Sequence, residues 1–147
     1  MPNWCEGSLR IRGTLKQIKT FAEIAFSPNS IYIEEYGDKD LTINLLDDYT
    51  YINGTRRAFC SGTIYAQTEH PDQKDIAIVD FKQAWDIESG PLLHLAKESG
   101  VDLRIYAFEC GMQFNREIEI IDGEIIEDNV IQFDDYNWEC PCPNIGG

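Results

Sequence analysis

The stretch Ser89–Glu109, SGPLLHLAKESGVDLRIYAFE, contains a change of period on which the reading of the fold turns. Ser89-Gly90-Pro91 offers a helix cap and a proline in the first turn. Leu92, Leu93, Leu95 and Ala96 then recur at helical spacing, and Gly100 stands where a left-handed C-terminal cap is needed. A helix over about 90–99 is therefore predicted. Beyond Gly100 the period drops to two, with Val101, Leu103, Ile105 and Ala107 on one side of a strand. Next, Arg116–Ile121 and Glu124–Phe133 flank Asp122-Gly123, a pair that readily adopts the positive φ angles of a two-residue hairpin turn.

The same grammar appears at the N-terminal end. Ser8-Leu9-Arg10-Ile11-Arg12 alternates as a strand with Leu9 and Ile11 inward, and Thr14 is placed to cap a helix over 14–26. Leu15, Ile18, Phe21, Ala22 and Ala25 form the apolar face of that helix, and Ser27-Pro28-Asn29 ends it. Ile31–Ile33 and Leu41–Leu45 read as short strands, with a turn near Asn53-Gly54. Phe59–Gln67 and Asp75–Trp85 are rich in β-branched and aromatic residues and flank Glu69-His70-Pro71-Asp72, which predicts a hairpin. The tail from about 134 to 147, with two prolines and two glycines, is expected to be irregular. Two helices set among strands and hairpins make an α+β domain, with both helices on one face of a mainly antiparallel sheet. A ferredoxin-like βαββαβ core with extra strands, spanning residues 1–147 as a single domain, is the expected architecture.

A resemblance points the same way. Met1-Pro2-Asn3-Trp4-Cys5-Glu6 running into a strand and Gly13, then Ala84-Trp85, the helix at Pro91–Ser99, and Tyr106-Ala107-Phe108-Glu109-Cys110-Gly111-Met112-Gln113-Phe114 leading to Gly123, resemble the YubB-type family of plasmid and phage proteins. These blocks cover about half of the chain. The likeness implies a ferredoxin-like domain and a mobile-element origin, and it transfers no catalytic residue. The chain departs from the family at Asn115, where a glycine tends to follow the phenylalanine, and in its Cys140-Pro141-Cys142 tail.

Composition narrows the chemistry. The chain has 147 residues, 43% of them hydrophobic, enough to bury roughly two thirds of its unfolded surface. No apolar run approaches the ~20 residues of a membrane span, and no signal-peptide pattern opens the sequence. A soluble, cytoplasmic protein with no membrane partner is expected. Five cysteines, at 5, 60, 110, 140 and 142, fit a reducing compartment. Cys60 and Cys110 lie in strand-like runs and read as small hydrophobes. Cys140 and Cys142, with Cys5 if the chain ends meet, leave a metal site, a disulfide or a redox pair open, although one intervening residue is too few for a usual zinc knuckle. His70 and His94 are remote in sequence. No phosphate-binding glycine loop or nucleophile elbow occurs, so no cofactor is expected and a non-enzymatic role is favoured.

The charge pattern is the most informative functional signal. The formal charge is −14, which argues against direct nucleic-acid binding. Residues 101–147 hold eleven acidic and two basic residues, whereas residues 1–20 hold one and four. Glu117 and Glu119 are expected to point the same way, about 6.7 Å apart. Glu124, Glu127, Asp128, Asp134, Asp135 and Glu139 continue the series, with Tyr136 and Trp138 among them. One reading is a solvated sheet edge that resists aggregation. The sharper reading is a partner-binding surface for the basic face of a host nucleic-acid-handling or defence complex, blocking it by nucleic-acid mimicry or steric occlusion. The related alternative is an immunity protein or antitoxin that caps a basic nuclease. A small Cys-dependent metal or redox protein is the reading from another class.

Overall fold

The computed structural model describes residues 1–147. In chain order the elements are β1 (Trp4–Gly13), α1 (Leu15–Ala25), β2 (Ile31–Tyr36), β3 (Asp40–Leu45), β4 (Thr50–Tyr51), β5 (Ala58–Ser61), β6 (Thr63–Gln67), β7 (Asp75–Ala84), α2 (Ser89–Ser99), β8 (Asp102–Glu109), β9 (Phe114–Ile121), β10 (Glu124–Gln132) and α3 (Tyr136–Glu139). A seven-stranded sheet runs β10-β9-β8-β1-β7-β5-β4 and a three-stranded sheet runs β2-β3-β6, with every pairing antiparallel. The architecture is α+β, as expected. No helix is long and apolar enough to cross a membrane.

Alternation along the strands gives the large sheet one covered and one open face. Leu9, Ile11, Ala77, Val79, Leu103 and Ile105 are buried in one cluster with Ile18, Phe21 and Ala22 of α1 and Leu92, Leu95 and Ala96 of α2. The intervening Arg10, Arg12, Ile78, Asp80 and Arg104 are exposed. Leu41 and Ile43 of β3 and Ile64 of β6 join the same cluster, so the small sheet closes the core rather than forming a second one.

Local chemistry accounts for the element ends. Thr14 and Gln17 form a reciprocal capping box: the Gln17 N–H donates to Thr14 Oγ1 at 3.2 Å, and the Thr14 N–H donates to Gln17 Oε1 at 2.9 Å. At the far end of α2, Gly100 has φ +83° and its N–H donates to the Ala96 carbonyl at 2.8 Å. The β9–β10 turn places Asp122 at φ +50° and Gly123 at φ +73°, the paired left-handed angles its sequence suggests.

Four expectations are corrected. Phe59–Gln67 is not one strand of a hairpin with Asp75–Trp85. At Gly62 (φ +105°) the chain turns, so β5 pairs with β7 in the large sheet while β6 pairs with β3 in the small one. Ser89 does not cap α2: Glu88 occupies that position, and Ser89 Oγ donates to Asp128 Oδ2 at 2.7 Å. The first strand begins at Trp4 rather than Ser8, and its parity puts Cys5 in the core and Trp4 on the open face. There Trp4 is half-buried, its ring edge-on to Phe59 at 6.0 Å and beneath the Lys82 ammonium at 4.0 Å. Lastly, the tail is not wholly irregular. It forms α3 and returns to the sheet, where the Gly147 N–H donates to the Trp4 carbonyl at 2.8 Å and Cys110 Sγ donates to the Gly146 carbonyl at 3.0 Å.

Candidate interaction surface

The acidic residues of the C-terminal third do not lie on one surface; strand parity divides them. Glu119 stands opposite Glu127 and Arg104, and Glu117 stands opposite Tyr106, so Glu117, Glu119 and Glu127 share the open face of the large sheet. Their mutual repulsion is visible in Glu127, whose carboxyl is raised from its ordinary value by a hydrogen bond with Glu117 and by the Glu117 charge. Arg104 partly offsets the group, with Nη2 3.6 Å from Glu117 and Nε 3.5 Å from Glu119. Glu124, beside the hairpin turn opposite Ile121, is exposed at the end of the same face.

Asp128 belongs to the other side. It stands opposite Ile118 on the covered face, where its carboxylate pairs with the buried Arg116 and accepts from Ser89. Arg116 also holds Asp86 at 2.9 Å. Asp128 therefore links β10 to β9 and α2 on the side opposite Glu117, Glu119 and Glu127, while remaining exposed. Tyr136 is likewise corrected. It is buried, donates its hydroxyl to Asn115 Oδ1 at 2.8 Å and packs edge-on to Phe133, with ring centroids 5.6 Å apart. Burial, aided by Cys140, raises its phenol from the usual value. Tyr136 fastens the tail to the sheet instead of meeting a partner.

Docking of Tyr136 fixes what surrounds it. Cys140, at the end of the same helical turn, is buried against Asn115, whose Nδ2 donates to its sulfur at 3.4 Å. The intervening Trp138 points the other way and is 87% exposed. Asp134, Asp135 and Glu139 make no ion pair. A short, anchored helix thus presents one exposed indole, with the exposed Asp134, Asp135 and Glu139 close to it in sequence.

The thiols have other surroundings. Burial raises Cys5 to about 12, with Asp86 adding to the shift, and burial raises Cys60 further. All five cysteines are free, and no group of three His, Cys, Asp or Glu side chains is placed to hold a metal ion.

The arginines of the open face come together only in the folded sheet. Arg10 and Arg104 stand directly opposite each other on β1 and β8, and Arg12 is bound to Asp102 through Nε at 2.8 Å and Nη2 at 2.7 Å. The alternation Arg10-Ile11-Arg12 is evident in the sequence, but only the register brings Arg104 beside it. A like-charge cross-strand pair is unfavourable, and Glu117 and Glu119 lie next to Arg104 to moderate it. The open face is therefore mixed in charge near its centre and acidic towards β10. No family model, curated protein or solved structure matches the chain.

Proposed function

We propose that this protein is a non-enzymatic acidic binding protein that docks on a basic surface of another protein or nucleoprotein complex. The single observation that carries the reading is Trp138, exposed on a helix whose neighbours Tyr136 and Cys140 are buried. A large apolar side chain held rigidly in water is unfavourable for the free protein, and tryptophan is the residue type most enriched among interface anchors. Asp134, Asp135 and Glu139 beside it, with Glu117, Glu119, Glu124 and Glu127 on the open face, would steer a basic partner and set its orientation. The net charge of −14 supports a protein target over bare nucleic acid.

The core is proposed to be ferredoxin-like. In support, β1-α1-β5-β7-α2-β8 gives two strand–helix–strand units whose strands lie in the order β8-β1-β7-β5. Strands β9 and β10 then extend one edge, β4 the other, and β2, β3 and β6 form an insertion. The mobile-element origin implied by the resemblance to YubB-type proteins belongs to the same proposal, and inhibition of a host complex by occlusion is the mechanism it favours.

Affinity capture from the native host tests this reading. Wild type should retain a basic protein or complex at low salt, and Trp138→Ala should lose most of it while keeping the native melting temperature. Equal capture by both proteins would contradict the proposal.

A further inference from the structure

The middle of the open face holds a groove of about 540 Å³ with a definite chemical character. Gly7 and Ser8 of the central strand β1 line it and bring little bulk to its floor. Ser8 lies between Tyr106 on β8 and Asp80 on β7 in register, so a small residue is flanked by an aromatic wall and an acidic wall. Those walls stand two strand spacings apart, roughly 10 Å. One row further along, Glu6 lies between Phe108 and Lys82, and the rings of Phe108 and Tyr106 meet edge-on at 5.2 Å.

Neither Asp80 nor Glu6 has a basic partner within ion-pair distance. Lys82, across the strand pair from Glu6, is engaged elsewhere: its ammonium sits over the Tyr49 ring at 3.5 Å and the Trp4 ring at 4.0 Å. With Lys82 included, the groove lining carries two negative charges and one positive. Lys82 also shows that the aromatic rim of this groove already accommodates a cation.

We infer that this groove receives an arginine side chain of the partner. A guanidinium is planar and weakly hydrated, so it can lie against the Tyr106 ring while its N–H groups turn to the unpaired Asp80 carboxylate. An ammonium is compact and strongly hydrated, and cannot use both walls in this way. The inference rests on the proposed function only for the source of the arginine, since it names the residue type that a basic partner would insert.

A short peptide isolates the groove from the rest of any interface. The probe is acetyl-Gly-Gly-Arg-Gly-Gly-amide, compared with the same peptide carrying citrulline or lysine, titrated into the full chain and followed by NMR. The arginine peptide should bind saturably, with a dissociation constant of about 1 mM, and shift the signals of Ser8, Asp80 and Tyr106. Citrulline, which keeps the shape and lacks the charge, should bind about tenfold more weakly or worse, as should lysine. Asp80→Asn removes the acceptor charge and Ser8→Tyr fills the floor; both positions lie on the open face, and either change should weaken the arginine peptide about tenfold. Non-saturating shifts, shifts confined to β10 and α3, equal binding of the lysine peptide, or undiminished binding by either variant would each overturn the inference. These outcomes are separable from the fate of the proposed function, because the peptide assay needs no native partner and the Trp138→Ala capture does not depend on the groove.

Discussion

Arg116 on β9 donates to Asp86 across the entrance of α2 at 2.9 Å, tying the helix to a strand thirty residues further along the chain. The guanidinium is almost wholly buried, and its second contact, to Asp128, adds β10 to the same joint. Its Nε is buried without a partner.

Replacing Arg116 with Met should cost about 2 kcal/mol at neutral pH, because two charge-assisted contacts are lost while both carboxylates retain access to water. Asp86→Asn should cost only about 0.5 kcal/mol, since that side chain is half exposed. Urea unfolding checks both, and a larger loss for Asp86→Asn than for Arg116→Met would contradict the assignment.

Gly7 is predicted to tolerate no side chain. A Cβ there would lie 2.0 Å from the Tyr106 carbonyl oxygen and 2.7 Å from Ala107 Cα, both of them backbone atoms that cannot swing aside. Gly7→Ala should therefore force β1 and β8 apart and destabilise the protein by about 3 kcal/mol or prevent folding. Gly54→Ala, with positive φ and open space, should cost about 1 kcal/mol by comparison.

Glu127 supplies a pH test. Its folded carboxyl is raised by Glu117, so the folded state holds its proton more tightly than the unfolded chain does. Its contribution is then favourable below the ordinary carboxylate range and is lost as the pH rises through the raised value. Glu127→Gln keeps a hydrogen-bonding side chain and removes the repulsion. The variant should be more stable than wild type at pH 7 and indistinguishable from it near pH 3, measured as urea midpoints. A gain of equal size at both pH values would exclude the mechanism.

The two parts of the acidic surface should act on different rate constants. Changing Glu124, Asp134, Asp135 and Glu139 to Lys should slow association with the captured partner about tenfold or more and flatten its salt dependence between about 50 and 200 mM. Trp138→Ala should instead accelerate dissociation, with a small effect on association. Surface-binding kinetics separate the two, and unchanged association by the four-Lys variant would leave these carboxylates as a solvated surface.

How much of this was legible in the sequence depended on the range of the determining contact. The α2–β8 junction follows from the change of period at Gly100, and the β9–β10 hairpin from Asp122-Gly123, because both are decided within a few residues. The division of Phe59–Gln67 between two sheets was concealed, since nothing local distinguishes Gly62 as a turn from a glycine within a strand. The side taken by Trp4 is hidden in another way: only when the alternation of Leu9 and Ile11 is carried back to the start of β1 does Cys5 fall in the core and Trp4 on the open face. Tyr136 and Trp138 looked equivalent in an acidic segment. What separates them is Asn115, which binds the Tyr136 hydroxyl and Cys140 from a distant strand.

The central position of β1 also has a consequence for biosynthesis. Its two neighbours are β7 and β8, so the first strand made by the ribosome has no pairing partner until residues 75–84 and then 102–109 have emerged. At ~5–20 residues per second this leaves Leu9 and Ile11 without their sheet for roughly 5–20 s. Such long-range pairing slows folding. The nascent protein should accordingly engage ribosome-associated chaperones through its first strand, and translation arrested before residue 75 should yield a chain that proteases digest as readily as an unfolded one.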